Sequence, residues 1–424
     1  MTIEHRLAGM SERKRTVLTL AHEYAMPNRV ESWLAGGVPL VIGKREGYRI
    51  WDLDGHELLD LHLNGGTYNL GHRHPLVLAA LNEALERLDI GNHHFPSEAR
   101  AHLAEKLAHL TPGDLHYSVF VTSGSEAADL AIQSARHATG RRRIVALELG
   151  YHGTTGLSGA AGRDDSARYF CSDYPGEFTK VPFDDLDAME QALEGDDVAA
   201  VLLETIPATA GFPLPSDDYL PGVKALCERH GALYVADEVQ TGLGRTGSLW
   251  AVEQWNVQPD ILITGKGLSG GLYPISAVVM TREVGAWLRE RGWAHVSTFG
   301  GSEIGCHVAS TVLDLCSSAA SLANARTISE YLATGLTELQ ARRPALVAVQ
   351  RKGLVMGLVT SHPAGGMLLS AALYRHGVWA MFAGFDPSVL QFKPGLLIDE
   401  PYCDQLLQRL DGALADVERE IAPS

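Results

Sequence analysis

Two residues with reactive side chains stand at the ends of apolar runs in the middle of the sequence. Lys266 lies between two glycines after "ILIT", and Asp237 ends the earlier run "ALYVAD". A lysine in apolar surroundings loses its proton readily, because burial disfavours the charged ammonium. The neutral amine can then attack a carbonyl group and form an imine. A surface lysine in a glycine turn and an aspartate that caps a turn are the alternative interpretations of these two residues.

An imine-forming lysine together with a buried carboxylate suits pyridoxal phosphate. The pyridine nitrogen of this cofactor needs an anion to stay protonated while the ring takes up electrons. Its phosphate needs a site too, and "VFVTSGSEAADLAIQSARHA" predicts a strand, a turn with Ser123, Gly124 and Ser125, and a helix. Amides at such a helix N-terminus bind anions, although an ordinary capped helix start has the same pattern.

Apolar runs that end in polar residues alternate with helical patterns through the middle of the chain, which predicts a mostly parallel sheet covered on both faces. Ligands of such sheets bind outside the carboxyl ends of the strands. Besides the residues above, these ends carry Tyr151 and His152 after "RIVALELG", and Glu204 at the end of "VAAVLLE". The ring of Tyr151 could cover one face of the cofactor.

The length of the chain, 424 residues of which 46% are hydrophobic, predicts more than one core. We predict an α/β fold with a large domain over residues 65–320. Residues 1–64 and 321–424 are expected to form a small α+β domain together. Within it, "GYRIWDLDGHELLDLHL" predicts a hairpin around an Asp-Gly turn, and "CDQLLQRLDGALADVEREI" a closing helix.

Charge and cysteine content exclude several classes of function. A net charge of -16 without a dense basic block argues against nucleic acid and anionic membranes as partners. The five cysteines are scattered and never form C-x-x-C, which argues against a disulfide framework or a thiolate metal site. The N-terminal segment has no apolar core of a signal peptide, and no stretch is long enough to cross a membrane. We therefore expect a cytoplasmic protein.

These segments together resemble the class III (fold type I) aminotransferases that depend on pyridoxal phosphate. The resemblance runs through "NLGHRHP", "SGSEAADLAIQSAR", "YHG", "DEVQTGLGRTG", "PDILITGKGLSGG" and "STFGG" to the final helix. It implies the transfer of an amino group between an amine or amino acid and an oxo compound through a Schiff base on Lys266. Related enzymes of this fold catalyse epimerisation, amino-group migration, decarboxylation or phosphate elimination, and these reactions are the alternative.

The resemblance assigns roles residue by residue. Lys266 matches the Schiff-base lysine, and Asp237 matches the partner of the pyridine nitrogen. The other expected cofactor contacts are Ser123, Gly124 and Ser125 at the phosphate, Tyr151 and Val239 on the two ring faces, Gln240 at the ring hydroxyl, His152, Glu204, and Thr298, which would reach the phosphate of the neighbouring subunit. Thr298 therefore implies a homodimer with shared sites.

One segment departs from the family. Many members have an arginine in a pattern like I-R-F-x-P-P-L, and this arginine binds the substrate carboxylate. In this sequence, "LQFKPGLL" places Gln391 at that position. Lys393 should point to the same face of the strand and could supply a point charge. Glu204 matches a glutamate that pairs with that arginine in some members, so its role becomes open. Thr67, Gln391 and Lys393 are the residues expected near the substrate.

Other motifs favour different functions only weakly. Residues 242–247 fit the G-x-G-x-x-G of dinucleotide-binding enzymes, but they start five positions after the strand end rather than directly at it. "GLSGG" fits a hydrolase nucleophile elbow, but a strand follows it instead of a helix. "GHRHP" and "GNHHFP" lack metal-site spacing, so we expect no metal. A non-catalytic binding protein on this fold is the remaining alternative.

Overall fold

The computed structural model describes residues 3–422 of the chain. The α-helices in chain order are α1 (Ile3–Arg6), α2 (Glu12–Tyr24), α3 (Pro27–Ala35), α4 (Leu63–Gly66), α5 (Pro75–Leu85), α6 (Glu98–Leu110), α7 (Gly124–Thr139), α8 (Gly156–Ala161), α9 (Asp164–Tyr169), α10 (Leu186–Leu193), α11 (Tyr219–His230), α12 (Trp287–Glu290), α13 (Glu303–Ser317), α14 (Ala319–Arg342), α15 (Gly365–Arg375) and α16 (Glu400–Ile421). Short 3-10 helices lie at Ala251–Trp255, Lys266–Ser269 and Val284–Ala286.

The β-strands are β1 (Ile42–Glu46), β2 (Arg49–Asp52), β3 (Glu57–Asp60), β4 (Leu115–Val121), β5 (Arg143–Leu147), β6 (Phe178–Val181), β7 (Val198–Glu204), β8 (Leu233–Asp237), β9 (Ile261–Thr264), β10 (Ser276–Thr281), β11 (Leu346–Lys352), β12 (Val355–Thr360), β13 (Val378–Trp379), β14 (Met381–Phe382) and β15 (Val389–Phe392). They form one seven-stranded sheet and two four-stranded sheets.

The seven-stranded sheet has the order β4-β10-β9-β8-β7-β5-β6. The strands from β9 to β6 pair in parallel, while β10 runs antiparallel to both of its neighbours. Parallel neighbours need crossover connections, which here are helices such as α11 between β7 and β8. The prediction of a mostly parallel sheet in an α/β fold is confirmed.

Both faces of this sheet are buried, as its unbroken apolar runs predict. On β7, Val201 and Leu203 belong to the core that also contains Val308 of α13. The alternating residue Leu202 belongs to a second core, which contains Ala131 of α7. Because side chains alternate across a strand, these two cores lie on opposite faces. The carboxyl ends of the strands are thereby held at one rigid edge.

The smaller sheets use segments from both ends of the chain. The predicted hairpin is β2–β3, and Asp52 Oδ1 closes its turn by accepting hydrogen bonds from the amides of Asp54 and His56 at 2.8 and 3.0 Å. β13 pairs in parallel with β3, so a C-terminal segment completes a sheet begun by an N-terminal one. The other small sheet has the order β11-β12-β15-β14. Boundaries at 64/65 and 320/321 stay predictions.

The G-x-G-x-x-G segment at 242–247 is an irregular loop. Gly244 and Gly247 have positive φ angles of 91° and 87°, and the next helical turn starts only at Ala251. A Cβ atom at Gly244 would lie 3.1 Å from Leu396, near the C-terminal part of the chain. The segment thus lacks the strand–turn–helix geometry of a dinucleotide site.

Candidate active site

The sheet brings the predicted catalytic residues to one edge. Glu204 and Asp237 end neighbouring strands and are partners in the β7–β8 register. Lys266 comes two residues after β9, and Tyr151 follows β5. They surround a cavity of about 140 Å³, whose lining residues are Gly124, Ser125, Tyr151, His152, Gly153, Glu204, Asp237, Val239, Gln240 and Lys266.

Asp237 is a buried carboxylate with both oxygens engaged. Its Oδ2 lies 2.8 Å from Nδ1 of His152, and its Oδ1 accepts a hydrogen bond from the amide of Val239 at 3.0 Å. His152 is itself buried, and its Nε2 has no hydrogen-bond partner among the described residues. These contacts fix the orientation of the carboxylate at the floor of the cavity.

Lys266 is held in a position that favours the neutral amine. Burial lowers its pKa, and the positive charge of Arg245 acts in the same direction, although Asp237 and Glu204 oppose both. Its backbone has a positive φ of 41°, a conformation that side chains other than glycine rarely adopt. Such local strain is common at functional sites.

Glu204 joins two loops at the edge of the cavity. Its Oε1 accepts from the amide of Tyr151 at 3.0 Å, and its Oε2 accepts from the amide of Ala208 at 3.2 Å. Burial raises the pKa of Glu204 to about 7, and the charge of Asp237 contributes to the rise. Within residues 3–422 no hydrogen bond joins Glu204 to Gln391, so it positions Tyr151 rather than the substrate-side strand.

The N-terminus of α7 forms an anion-binding turn. Ser123 caps the helix by accepting from the amide of Glu126 at 3.2 Å. The amides of Gly124 and Ser125 donate to no acceptor in the described part of the chain. Gly153 closes the turn from the other side, where a Cβ atom would lie only 2.1 Å from Ser125 Oγ. Free amides at a helix N-terminus favour a phosphate group.

A left-handed turn, α4, lies against Lys266. Leu63, Asn64, Gly65 and Gly66 all have positive φ, between 48° and 96°. A Cβ atom at Gly65 would lie 3.0 Å from Cε of Lys266, so the backbone of this turn packs closely against the reactive side chain. Thr67, predicted near the substrate, donates its hydroxyl hydrogen to the carbonyl of Asn64 at 2.9 Å.

Five predicted residues lie outside the cavity lining, among them Ser123, which caps α7, and Thr67 after the α4 turn. Gln391 and Lys393 are buried on and next to β15. Thr298 lies in an exposed loop of its own chain. The sequence interpretation also missed Arg245, which is buried beside the α4 turn, and Gly153. Both were visible in quoted motifs, "GLGRTG" and "YHG", but nothing in those motifs indicated burial or close approach.

These residues fit pyridoxal phosphate. The cavity offers an anion-binding turn, a buried carboxylate, an aromatic ring on the exposed side and a lysine with a lowered pKa. Oε1 of Gln240 is buried without a hydrogen-bond partner in the described residues, which suits a contact to a ligand hydroxyl. Among these residues no group of three or more His, Cys, Asp or Glu side chains could hold a metal ion.

Comparison with known proteins identifies the family. The model of the family described as class III aminotransferases matches residues 34–414. This chain belongs to the class III aminotransferases. Proteins of this family use pyridoxal phosphate, so the aminotransferase is a pyridoxal-phosphate-dependent enzyme with small amine and oxo compounds as substrates.

Relatives and solved structures agree with this assignment. The aminotransferase is 45% identical over 401 residues to an uncharacterized aminotransferase of Archaeoglobus fulgidus, covering 95% of this chain and 94% of the relative. It is similar to the ornithine aminotransferase of Toxoplasma gondii (27% identity, TM-score 0.86, 96% and 95% covered), whose structure has partial occupancy of pyridoxal phosphate at the active site. An S-selective transaminase of Bacillus megaterium is also similar (25% identity, TM-score 0.88, 96% and 99% covered).

Proposed function

We propose that the aminotransferase moves amino groups with Lys266 as the reacting amine and Asp237 as the partner of the cofactor ring nitrogen. When bound, pyridoxal phosphate supplies an aldehyde that exchanges amino groups and a ring that accepts electrons. Lys266 would hold the cofactor, and its amine would move a proton at the reacting carbon of the substrate. Asp237 would keep the ring nitrogen protonated, because His152 and the amide of Val239 hold its carboxylate in place.

The remaining residues of the cavity orient the cofactor. Ser123, Gly124 and Ser125 would bind the phosphate, and Tyr151 and Val239 would cover the ring. Gln240 would contact the ring hydroxyl. Glu204 keeps Tyr151 in position through the backbone amide of that residue. The single observation that supports these roles is the convergence of Lys266, Asp237 and the free amides of α7 around one cavity.

Trapping the covalent link tests this assignment. Reduction of the yellow holoenzyme with borohydride should bleach the colour, and peptide mass spectrometry should find the cofactor attached to Lys266. Attachment at another lysine would overturn the proposed role of Lys266. Conversion of the coloured form to the pyridoxamine form by an amino donor alone would establish the first half of the transfer reaction.

We further propose that glutamate and 2-oxoglutarate are poor substrates. Gln391 stands where many relatives have an arginine, and Oε1 of Gln391 already accepts a hydrogen bond from Lys393. A charge-assisted contact contributes about 1.5–3 kcal/mol and a neutral one about 0.5–1.5 kcal/mol. The difference corresponds to roughly tenfold in binding. Gln391→Arg should therefore improve use of glutamate, and efficient use by the wild type without any gain in the variant would contradict this proposal.

A homodimer with shared sites is the proposed assembly. Thr298 lies on the surface of its own chain, in a loop bordered by the exposed side chains Trp293 and Phe299. Phe95 is also exposed. His94 lies between Phe95 and Trp293, and the ring centroids of His94 and Trp293 are 5.5 Å apart. Exposed apolar patches of this kind mark protein interfaces. In the dimer, Thr298 would reach the phosphate in the partner.

We propose a cytoplasmic location without nucleic acid or membrane partners. All five cysteines are free, and four of them are buried. The net charge of -16 opposes binding to phosphate backbones. No helix of residues 3–422 is both long and apolar enough to span a membrane. Fractionation of the native cells would test the location.

A further inference from the structure

Glu238 is a buried carboxylate that does not line the cavity. Its Oε1 accepts a hydrogen bond from Oγ1 of Thr205 at 2.7 Å and another from the amide of Val252 at 2.9 Å. Its Oε2 accepts from Oγ1 of Thr241 at 2.7 Å and from the amide of Ala251 at 3.0 Å. Each carboxylate oxygen therefore accepts two hydrogen bonds, and the four donors come from separate segments of the chain.

The four donors suit the ionised form of Glu238. Burial raises the pKa of Glu238, and the hydrogen bonds from the two threonines and the two amides oppose that rise. A backbone amide can only donate, so a protonated carboxyl group would lose an acceptor site that one of these donors uses. A buried charge is tolerated when hydrogen bonds satisfy it. The segments that donate to Glu238 are thereby held in fixed positions around it.

Glu238 fixes the turn that carries Gln240. The amide of Glu238 donates to the carbonyl of Ile263 in β9 at 2.9 Å, and its carbonyl accepts from the amide of Gly242 at 3.0 Å. The hydroxyl of Thr241 adds the contact to the carboxylate. Gln240 therefore lies in a tight turn that is held on both sides of it.

The two oxygens of Glu238 connect to different parts of the site. Thr241 directly follows Gln240, whereas Thr205 directly follows Glu204 at the end of β7. Both threonines are buried, and both donate to the carboxylate at 2.7 Å. The two threonines thus form a matched pair, of which only Thr241 lies next to Gln240.

Gln240 itself lines the cavity. Its Oε1 is buried and has no hydrogen-bond partner among the described residues. A Cβ atom at Gly65 would lie 3.5 Å from this oxygen, so the α4 turn bounds Gln240 on the side of Lys266. Because no described residue accepts or donates at Oε1, the turn below it determines where this oxygen lies.

We propose that Glu238 is a positioning residue of the aminotransferase, which holds Gln240 through Thr241 against the hydroxyl group of the cofactor ring. This inference rests on the proposed function, in which Gln240 contacts that hydroxyl. A hydrogen bond to one protonation state of a group favours that state. The protonation states of the bound cofactor differ in colour, so the ratio of its absorption bands reports whether Gln240 is in place.

Thr241→Val and Thr205→Val test this role in the holoenzyme. Each removes one buried hydroxyl that donates to Glu238, and valine has a similar shape. The measurement is the ratio of the yellow to the colourless absorption band at one fixed pH, and Gln240→Leu defines the direction of the effect. Thr241→Val should change the ratio at least threefold in that direction and Thr205→Val less than twofold, since one neutral hydrogen bond changes an equilibrium by about two- to tenfold.

Control measurements separate positioning from a loss of stability. Urea unfolding of the apoproteins should show similar losses in the two valine variants, because each removes one donor from the same buried carboxylate. Thr241→Ser restores the hydroxyl and should return the band ratio to within twofold of wild type. If Thr241→Val does not fold, Glu238→Gln provides the test, since an amide cannot accept all four hydrogen bonds and should change the ratio like Gln240→Leu.

The outcomes distinguish this inference from the proposed function. A wild-type ratio in Thr241→Val, equal changes in both valine variants, or no effect of Gln240→Leu would overturn the role of Glu238. If borohydride still attaches the cofactor to Lys266 in that case, the proposed function stands. Attachment at another lysine would contradict the proposed function, while a ratio that responds to Thr241→Val and not to Thr205→Val would still support the role of Glu238.

Discussion

Burial decides the protonation of single residues at this site. Lys266 and Glu204 line the same cavity, and burial lowers the pKa of Lys266 and raises that of Glu204, which favours the neutral form of each. Asp237 instead has a histidine and a backbone amide as partners, which fix the orientation of its carboxylate. A neutral amine and a fixed carboxylate are the two groups that the chemistry of the cofactor needs.

Replacing Lys266 should remove catalysis without unfolding the protein. In Lys266→Ala no amine remains to bind the cofactor covalently or to move the substrate proton, a role worth about 10²–10⁴ in rate. Loss of this buried amino group should not weaken the fold. Turnover measured by donor conversion, with circular dichroism for the fold, checks this, and Lys352→Ala is the control. Wild-type turnover in Lys266→Ala would refute the role.

Glu204 should make the stability of the apoprotein depend on pH. Its pKa is about 7 in the fold and 4.5 when unperturbed, so ionisation is disfavoured in the folded state. The contribution of Glu204 to the free energy of unfolding is therefore complete below pH 4.5 and is lost as the pH rises to about 7. At 1.36 kcal/mol per pH unit the full effect is roughly 3 kcal/mol.

The variant Glu204→Gln isolates this effect. It should gain stability relative to wild type by on the order of 2 kcal/mol between pH 5 and pH 8, because glutamine cannot ionise. Urea unfolding of the two apoproteins at both pH values measures the change. Glu105→Gln, at an exposed position of α6, should show no comparable change. A stability difference independent of pH would contradict the raised pKa of Glu204.

Among the secondary-structure elements, the short turns at the strand ends determine the geometry of the site. The strands end at one edge because they pair in parallel, but the turns after them bring the backbone to the ligand. Gly153 packs against Ser125 with no space for a side chain, and a Cβ atom at Gly65 would make a tight contact of 3.0 Å with Cε of Lys266. Glycine permits these approaches and the positive φ angles that accompany them.

The variant Gly153→Ala should disturb the phosphate turn. Its Cβ atom would collide with Ser125, and its φ of 123° is unfavourable for alanine. We expect a loss of about 1–3 kcal/mol in stability and at least tenfold weaker cofactor binding. Gly140→Ala is a matched control, since Gly140 ends α7 with φ 66° and open space around it. It should lose stability but keep its affinity for pyridoxal phosphate, measured by titration of the apoprotein.

At the scale of the whole molecule, the site needs both ends of the chain and, as proposed, a second copy. Arg245 lies against Gly66 of the α4 turn and donates to the carbonyl of Pro394 after β15, so a truncation at either end would disturb the substrate side. Thr298 lies outside the cavity of its own chain. We therefore expect activity to depend on both ends of the chain and on the second copy, and not on the large sheet alone.

Dimerisation should therefore control cofactor affinity. Sedimentation should give twice the mass of one chain, and Thr298→Ala should release the cofactor several-fold faster while the dimer persists, because one phosphate contact is lost. Trp293→Glu, in the apolar patch, should weaken the dimer and cofactor binding together. An active monomer with tightly bound cofactor would disprove the shared site.

The sequence by itself predicted the sheet, its crossover helices and the reactive residues at the strand ends. These features follow from local patterns, because apolar runs buried on both faces and the polar residues after them are written in consecutive positions. Lys266, Asp237 and Glu204 could thus be placed at one edge before any coordinates. The departure at Gln391 was also visible in the sequence.

Only the tertiary structure revealed what surrounds those residues. Arg245 is a loop residue in sequence, yet it is buried between the α4 turn and the segment after β15. The collision that forbids a side chain at Gly153 likewise joins the loop after β5 to the start of α7. Burial, charge repulsion and close packing depend on neighbours brought together by folding, and local sequence patterns do not encode those neighbours.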